Sequence, residues 1–244
     1  MGRRMKYKMD IHNAALRGLE WLKNQKPATI KDMSRMIQAL SLWNEPASLL
    51  IELLLSRRKD TFWETDKPLL DTARACSALA GCGVIQSETI QWILKQQKSD
   101  CWSNNEIDTA YALIALGDCG IKNEQGCEWL LRHCKEHVGT TSLIIAALSK
   151  QDKNKYRDFI KNRAKWLLSK RQSGGWIHIA TSNLAIQALI LADEKDIEPS
   201  IRWLLGKQHS GNWGNINSTS LSLISLGMYL DKLNSVSHNE EQER

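Results

Sequence analysis

The stretch QWILKQQ, residues 91–97, recurs with small changes at intervals of 37 residues along a chain of 244 residues. Its later copies are EWLLRHC (128–134), KWLLSKR (165–171) and RWLLGKQ (202–208). Upstream, EWLKNQK (20–26) begins in the same way, and the remaining gap contains SLLIELLLSRR (48–58). The chain therefore divides into six tandem units, and such a period is typical of helical-repeat architectures.

A second set of tryptophans follows this phrase after a short turn. Two of the turns read QSGGW (172–176) and QHSGNW (208–213). The members of the set are Trp63, Trp102, Trp176 and Trp213. Because nine of the ten tryptophans occupy just two positions of one pattern, this set supports the six-unit division independently.

Each unit reads as two helices. The first carries the tryptophan phrase together with Lys, Arg and Glu, so we expect it to be outer and half-solvated. The second opens with Ser, Thr or Asp, expected N-caps, and continues with apolar residues at helical spacing on nearly all sides, which indicates burial. Examples are DTARACSALAGCG (71–83), IDTAYALIALGDCG (107–120) and SNLAIQALILA (182–192).

These patterns predict an all-α protein with six buried inner helices surrounded by six outer ones. The predicted domain covers residues 10–234, after a basic segment at 1–9 and before a disordered tail at 235–244. An open solenoid is the alternative architecture, but it requires polar faces on its terminal units. The last unit, with STSLSLISLG (218–227), is as apolar as the others, which favours a closed ring.

Composition excludes several classes of protein. The chain has 33 Lys and Arg against 27 Asp and Glu, a net charge of +6 that is spread along the sequence. Without a basic cluster interleaved with aromatic residues, no nucleic-acid partner is expected. No apolar run is long enough for a transmembrane segment, and no signal peptide is evident. Six cysteines without a CxxC pair indicate reduced thiols and a cytoplasmic protein.

The phrase WLL…Q…GxW followed by TAxALxAL resembles the QW repeats of the squalene/hopene cyclase and protein prenyltransferase β-subunit superfamily. The resemblance covers roughly residues 10–232. It implies a single α6–α6 barrel, or toroid, whose inner helices surround an apolar cavity that takes an isoprenoid. Fold does not determine activity, so the motifs of each branch have to be considered separately.

In the cyclase branch, the resemblance implies a DxDDTA segment whose middle Asp protonates the substrate. The matching segment here is NEIDTA (105–110), with Ile107 at the position of the acid, and Leu70 stands at that position one unit earlier. A hydrocarbon side chain cannot donate a proton. Cyclisation is therefore not expected unless Glu106 or another acid substitutes.

In the prenyltransferase branch, the resemblance implies a DGCY segment in which Asp and Cys bind zinc with a distant His. This chain has Asp108 and Tyr111 but Ala110 in place of the Cys, and Ser218 stands where the His is expected. Zinc sites use three or more protein ligands, so no metal site is predicted. A magnesium ion accompanying a diphosphate substrate stays open, and no cofactor is otherwise expected.

Two aspartates lie at equivalent starts of neighbouring inner helices, Asp71 and Asp108. One interpretation is that they cap these helices, as Ser and Thr do in other units. The other is a pair of carboxylates at a cavity mouth, acting in acid–base chemistry or as magnesium ligands. With Glu106, they are the candidate catalytic residues.

A ring of equivalent residues is expected one helical turn further in. It consists of Arg35, Arg74, Tyr111, Leu143, Leu184 and Leu221. The two arginines and the tyrosine are candidates for binding a diphosphate, because guanidinium groups match phosphate oxygens, and the leucines would face a prenyl chain. The alternative is that Arg74 pairs with Asp71 or Glu106.

The function predicted from these residues is the binding or transfer of a prenyl diphosphate. The alternative is a non-catalytic toroid that binds a lipid or a protein, having lost the cyclase acid and the zinc ligands. A protein partner or an oligomer is compatible with either prediction.

Overall fold

The computed structural model describes the backbone of residues 2–242 and the side chains of residues 5–235. This part of the chain is all-α, with one hairpin of two short strands, β1 (Gln97–Lys98) and β2 (Cys101–Trp102). The helices are α1 (Arg3–Lys23), α2 (Ile30–Leu42), α3 (Ser48–Ser56), α4 (Pro68–Ala80), α5 (Ser87–Lys95), α6 (Glu106–Asp118), α7 (Glu124–His133), α8 (Val138–Asp152), α9 (Arg157–Ser169), α10 (Ile179–Leu191), α11 (Glu198–Leu205) and α12 (Ile216–Gln242).

The even-numbered helices contact one another in chain order, and α12 also packs against α2. The contacts among these six helices therefore form a closed cycle. Their sequences are the apolar segments expected to be buried, and most residues of α4, α6, α8 and α10 are buried. The odd-numbered helices pack on the outside of this set. Most of them expose charged side chains, whereas the exposed side of α3 is largely apolar, with Leu49 and Leu53.

The pairing of outer with inner helices differs in part from the hairpins expected from the sequence. Each outer helix from α3 to α11 packs against the inner helix that precedes it in the chain, and only α7 and α9 also pack appreciably against the inner helix that follows, among the described residues. The first outer helix of the described residues, α1, packs against α12. The N-terminal helix thus completes the last unit, which explains why neither end of the repeat needs a polar cap.

Hydrogen bonds from the second set of tryptophans connect each turn to the helices on either side of it. Each indole N–H donates a hydrogen bond to the carbonyl oxygen nine residues earlier, in the preceding outer helix, at 2.7–3.1 Å. Each tryptophan backbone N–H donates to a hydroxyl in the first turns of the next inner helix. The four hydroxyls belong to Thr72, Thr109, Ser182 and Thr219.

These contacts correct the expected N-caps. These inner helices begin three or four residues before the Thr or Ser that recurs in the repeat, so that hydroxyl lies inside the helix and accepts from the tryptophan backbone N–H. The cap of α6 is Asn105, whose side chain accepts from the N–H groups of Ile107 and Asp108. In α4 the N-cap position is Lys67, with Pro68 starting the helix.

Small residues on the next outer helix make room for these indoles. A Cβ at Gly126 would lie 2.9 Å from the Trp102 ring, and a Cβ at Gly18 would lie 2.9 Å from the Trp213 ring. The second contact joins the first outer helix to the last turn. The glycine–indole contact between Gly126 and Trp102 in the middle of the chain thus has an equivalent between the two ends of the chain.

The predicted domain boundaries do not coincide with helix ends. Helix α1 already begins at Arg3 and buries Tyr7, because its apolar face covers α12. Helix α12 extends to Gln242, past the tail boundary predicted at residue 235, and residues 243–244 lie outside the described residues. No helix in the described part of the chain has the length and apolar character needed to cross a membrane.

Candidate functional site

A cavity of about 530 Å³ lies among the six even-numbered helices, all of which contribute to its wall. Each inner helix contributes residues at positions i, i+3 and i+7, and equivalent positions of the six helices form three rings around the cavity. The first ring is Arg35, Arg74, Tyr111, Leu143, Leu184 and Leu221, of which all but Leu221 line the cavity. The middle ring is Gln38, Ser77, Ile114, Ala146, Gln187 and Ile224, and the last ring is Leu42, Gly81, Asp118, Lys150, Leu191 and Met228.

The structure brings together the three residues predicted to bind an anion. A terminal nitrogen of Arg35 donates to the Tyr111 hydroxyl at 3.1 Å, and the other donates to Gln38 Oε1 at 3.0 Å. The Arg74 guanidinium carbon lies 4.4 Å from the centre of the Tyr111 ring. Both arginines therefore converge on one buried phenol at the wall of the cavity.

The charge of this cluster is only partly neutralised. Arg74 pairs with Asp71 at 3.1 Å, the ion pair raised as an alternative above, whereas Arg35 has no carboxylate partner among the described residues. The Nε groups of both arginines are buried without a hydrogen-bond partner. Burial would raise the pKa of Tyr111, but the charges of Arg35 and Arg74 outweigh it and hold that pKa below its usual value. The cluster thus favours an anion.

The two sides of the cavity differ in polarity. Residues from α8, α10 and α12 are mainly apolar: Leu143, Ala146, Leu184, Leu191, Ile224 and Met228. On the opposite side hydrogen bonds run from Gln38 to Ser77 at 3.2 Å and from Ser77 to Asp118. Lys150 of α8 extends this chain from the edge of the apolar side by donating to Asp118. The cavity is therefore amphipathic, as the ring of two arginines, a tyrosine and leucines predicted, whereas the family resemblance implied an apolar cavity.

The three candidate catalytic carboxylates do not line this cavity. Asp71 faces a neighbouring groove of about 580 Å³ that shares Arg74 with the cavity, and its two oxygens accept from Arg74 and Thr65. Glu106 lines a separate groove and pairs with Lys135 at 3.2 Å. Asp108 is the third residue of α6 and is half-buried.

One cavity carboxylate was missed by the sequence analysis. Asp118, at the end of α6, is the carboxylate among the described cavity-lining residues, and it is bound by Ser77 and Lys150. The signal was present, because Asp118 stands seven residues after Tyr111 and in register with Gly81 and Lys150. Extending the six-unit alignment by two helical turns would have found it.

The described residues contain no group of three or more His, Cys, Asp and Glu side chains placed to hold a metal ion. Both oxygens of Asp71 accept hydrogen bonds, one from Arg74 and one from Thr65. Cys127, His133, Cys134 and His137 are close in sequence, as zinc ligands often are, but the two histidines have other contacts. His133 stacks on Trp129, and His137 accepts from the Thr140 N–H.

In comparisons with known proteins, no family model matches the chain, and no curated protein sequence matches it either.

Proposed function

We propose that this protein is a single α6–α6 toroid of six repeats that binds a prenyl diphosphate in its central cavity. The toroid is supported by the cycle of contacts among the six inner helices and by the packing of α1 against α12. The isoprenoid ligand rests on the resemblance of the repeats to those of terpene cyclases and prenyltransferases.

One observation carries the choice of ligand: a cationic cluster and an apolar wall face each other across the same cavity. Arg35 and Arg74 offer two buried, unpartnered N–H groups beside Tyr111. Leu143 and Leu184 of the first ring stand on the other side. Guanidinium groups bind phosphate oxygens in a charge-assisted manner, and an apolar wall of this size suits a hydrocarbon chain.

Binding is better supported than transfer or cyclisation. Asp71 and Glu106 are held in ion pairs outside the cavity, and Ile107 and Leu70 occupy the positions of the cyclase acid. The specific alternative is therefore a non-catalytic toroid that binds a neutral lipid or a protein, in which the arginines serve only the packing of α2, α4 and α6.

Isothermal titration calorimetry with farnesyl diphosphate and farnesol distinguishes these functions. A charge-assisted contact contributes about 1.5–3 kcal/mol, so Arg35→Ala should weaken farnesyl diphosphate binding roughly 10- to 150-fold. Binding of farnesol should change little, because the alcohol carries no charge. Arg35 is the better target than Arg74, which is already paired with Asp71.

Arg132→Ala is the matched control, since Arg132 is an exposed arginine on α7 that pairs with Asp100 outside the cavity. It should leave both affinities unchanged. The proposal is wrong if the wild type binds no prenyl diphosphate, if it prefers the alcohol, or if Arg35→Ala matches the control. A preference for farnesol would support the neutral-lipid alternative.

A further inference from the structure

Two thiols meet where α4 and α6 pack together. The Sγ atoms of Cys76 and Cys119 lie 3.6 Å apart, although the residues are 43 positions apart in the chain. Cys76 is buried within α4, and Cys119 follows the last residue of α6 and is half-exposed. Among the described residues, no other pair of cysteines shows such a contact, and neither thiol belongs to the cation cluster of the proposed ligand site.

The environment gives the two thiols different chemical roles. The hydrogen bond between the two sulfur atoms, in which either can donate, lowers the pKa of Cys119. The same bond, together with burial, raises the pKa of Cys76. Cys119 is also the more accessible sulfur. The thiolate is the reactive form of cysteine, so Cys119 is the attacking group and Cys76 the resolving one.

We propose that Cys76 and Cys119 form a dithiol site that reacts with hydrogen peroxide and closes to a disulfide. The Cys119 thiolate attacks one peroxide oxygen, the O–O bond breaks, and Cys119 becomes a sulfenic acid while hydroxide leaves. The Cys76 sulfur then attacks the Cys119 sulfur, forming the S–S bond and expelling a second hydroxide. These ions take up the two thiol protons, so one peroxide yields one disulfide and two waters.

Closing the bond needs a local movement only. The sulfur atoms must approach from 3.6 Å to about 2.0 Å. The adjacent residues Ser77 and Asp118 already join the same two helices by a hydrogen bond, and both line the central cavity. Oxidation would therefore add a covalent link beside an existing contact and act on the middle and last rings of the cavity.

Peptide mapping tests the site directly. The tryptic peptide 75–95 contains both Cys76 and Cys82, and the peptide 99–122 contains both Cys101 and Cys119. The experiment therefore uses a Cys82→Ser, Cys101→Ser variant, in which a link between the two peptides can arise only from Cys76 and Cys119. After brief treatment with hydrogen peroxide and alkylation, we expect the linked peptides, two hydrogens lighter than their sum.

Single substitutions in that variant assign the roles. With Cys76→Ser the reaction should stop at a sulfenic acid on Cys119, trapped by dimedone, whereas with Cys119→Ala the Cys76 thiol should stay reduced. In the oxidised protein the thermal midpoint should rise by roughly 5–15 °C, because the bridge closes a long loop. The proposal is overturned if no linked peptide exceeds the untreated background, or if Cys134, the remaining half-exposed thiol, is oxidised before Cys119.

Discussion

At the scale of single residues, Tyr111 shows how the fold changes the chemistry of a side chain. A buried phenol without charged neighbours would hold its proton more tightly than in water. Here Arg35 donates to its oxygen and Arg74 stacks on its ring, and the two positive charges lower the pKa despite the burial. The pKa of Tyr111 therefore depends on whether both arginines contact this side chain.

Ultraviolet titration of the phenolate should detect this effect. Tyr111 should lose its proton below pH 10.0, the usual pKa, whereas Tyr7 and Tyr156 should lose theirs above it because burial raises their pKa. The early transition should vanish in Tyr111→Phe and shift to higher pH in Arg35→Ala.

The sign of the linked stability follows from the lowered pKa. The stability contributed by the Tyr111 phenolate is present above pH 10.0, diminishes as the pH falls, and is lost through the folded-state pKa. If Arg35→Ala leaves the early transition in place, Arg35 does not contact Tyr111 in solution.

At the scale of elements, the two tryptophan positions have different tasks. Trp102 is fully buried, donates from its indole to the Ile93 carbonyl and packs beneath α7. Trp166, in the last turns of α9, is only partly buried, and its ring lies 5.5 Å from the Lys170 ammonium. Trp102 therefore connects a turn to the helices around it, whereas Trp166 covers the side of an outer helix.

Substitution by phenylalanine should separate these tasks. Trp102→Phe removes ring volume and the indole hydrogen bond from a fully buried site and should lower the free energy of unfolding by about 1.5–3 kcal/mol. Trp166→Phe should cost less than about 1 kcal/mol, because part of its ring already faces solvent. Chemical denaturation measures both, and equal losses would contradict the distinction.

At the scale of the whole molecule, the two ends of the chain join through an internal type of contact. Gly18 on α1 lies against Trp213 and Leu223, as Gly126 on α7 lies against Trp102 and Leu113. In addition, Gln208 donates to the Ala14 carbonyl at 2.8 Å, and Trp43 donates to the Leu223 carbonyl at 2.9 Å. The first and last units are therefore neighbours, in contrast to the ends of an open solenoid.

Glycine-to-alanine substitutions test that junction. Gly18→Ala and Gly126→Ala should each lower the free energy of unfolding by about 1–3 kcal/mol, because the new methyl overlaps a buried indole. Gly206→Ala is the control, since its Cβ would meet only ordinary contacts at 3.5 Å or more. Denaturant unfolding decides the question. Were the ring open in solution, Gly18→Ala would behave like Gly206→Ala, with a small gain from helix propensity.

The sequence by itself determined the repeat, the all-helical class, the burial of the second helix in each unit and the first ring of the cavity. All four depend on periodicity, since residues 37 apart occupy equivalent places and the helical period decides which side chains point inward. Arg35, Arg74 and Tyr111 were found in this way, before any contact between them was known.

Only the tertiary structure decided which helices pack together and which side chains contact one another. Only packing shows that each outer helix covers the preceding inner one, that Asp71 is held by Arg74 and Thr65, and that Cys76 meets Cys119. Periodicity describes a single helix or unit, whereas these contacts depend on how far one helix is rotated and shifted against another. That rotation and shift are set by side-chain volumes, such as an indole opposite a glycine, at positions far apart in the chain.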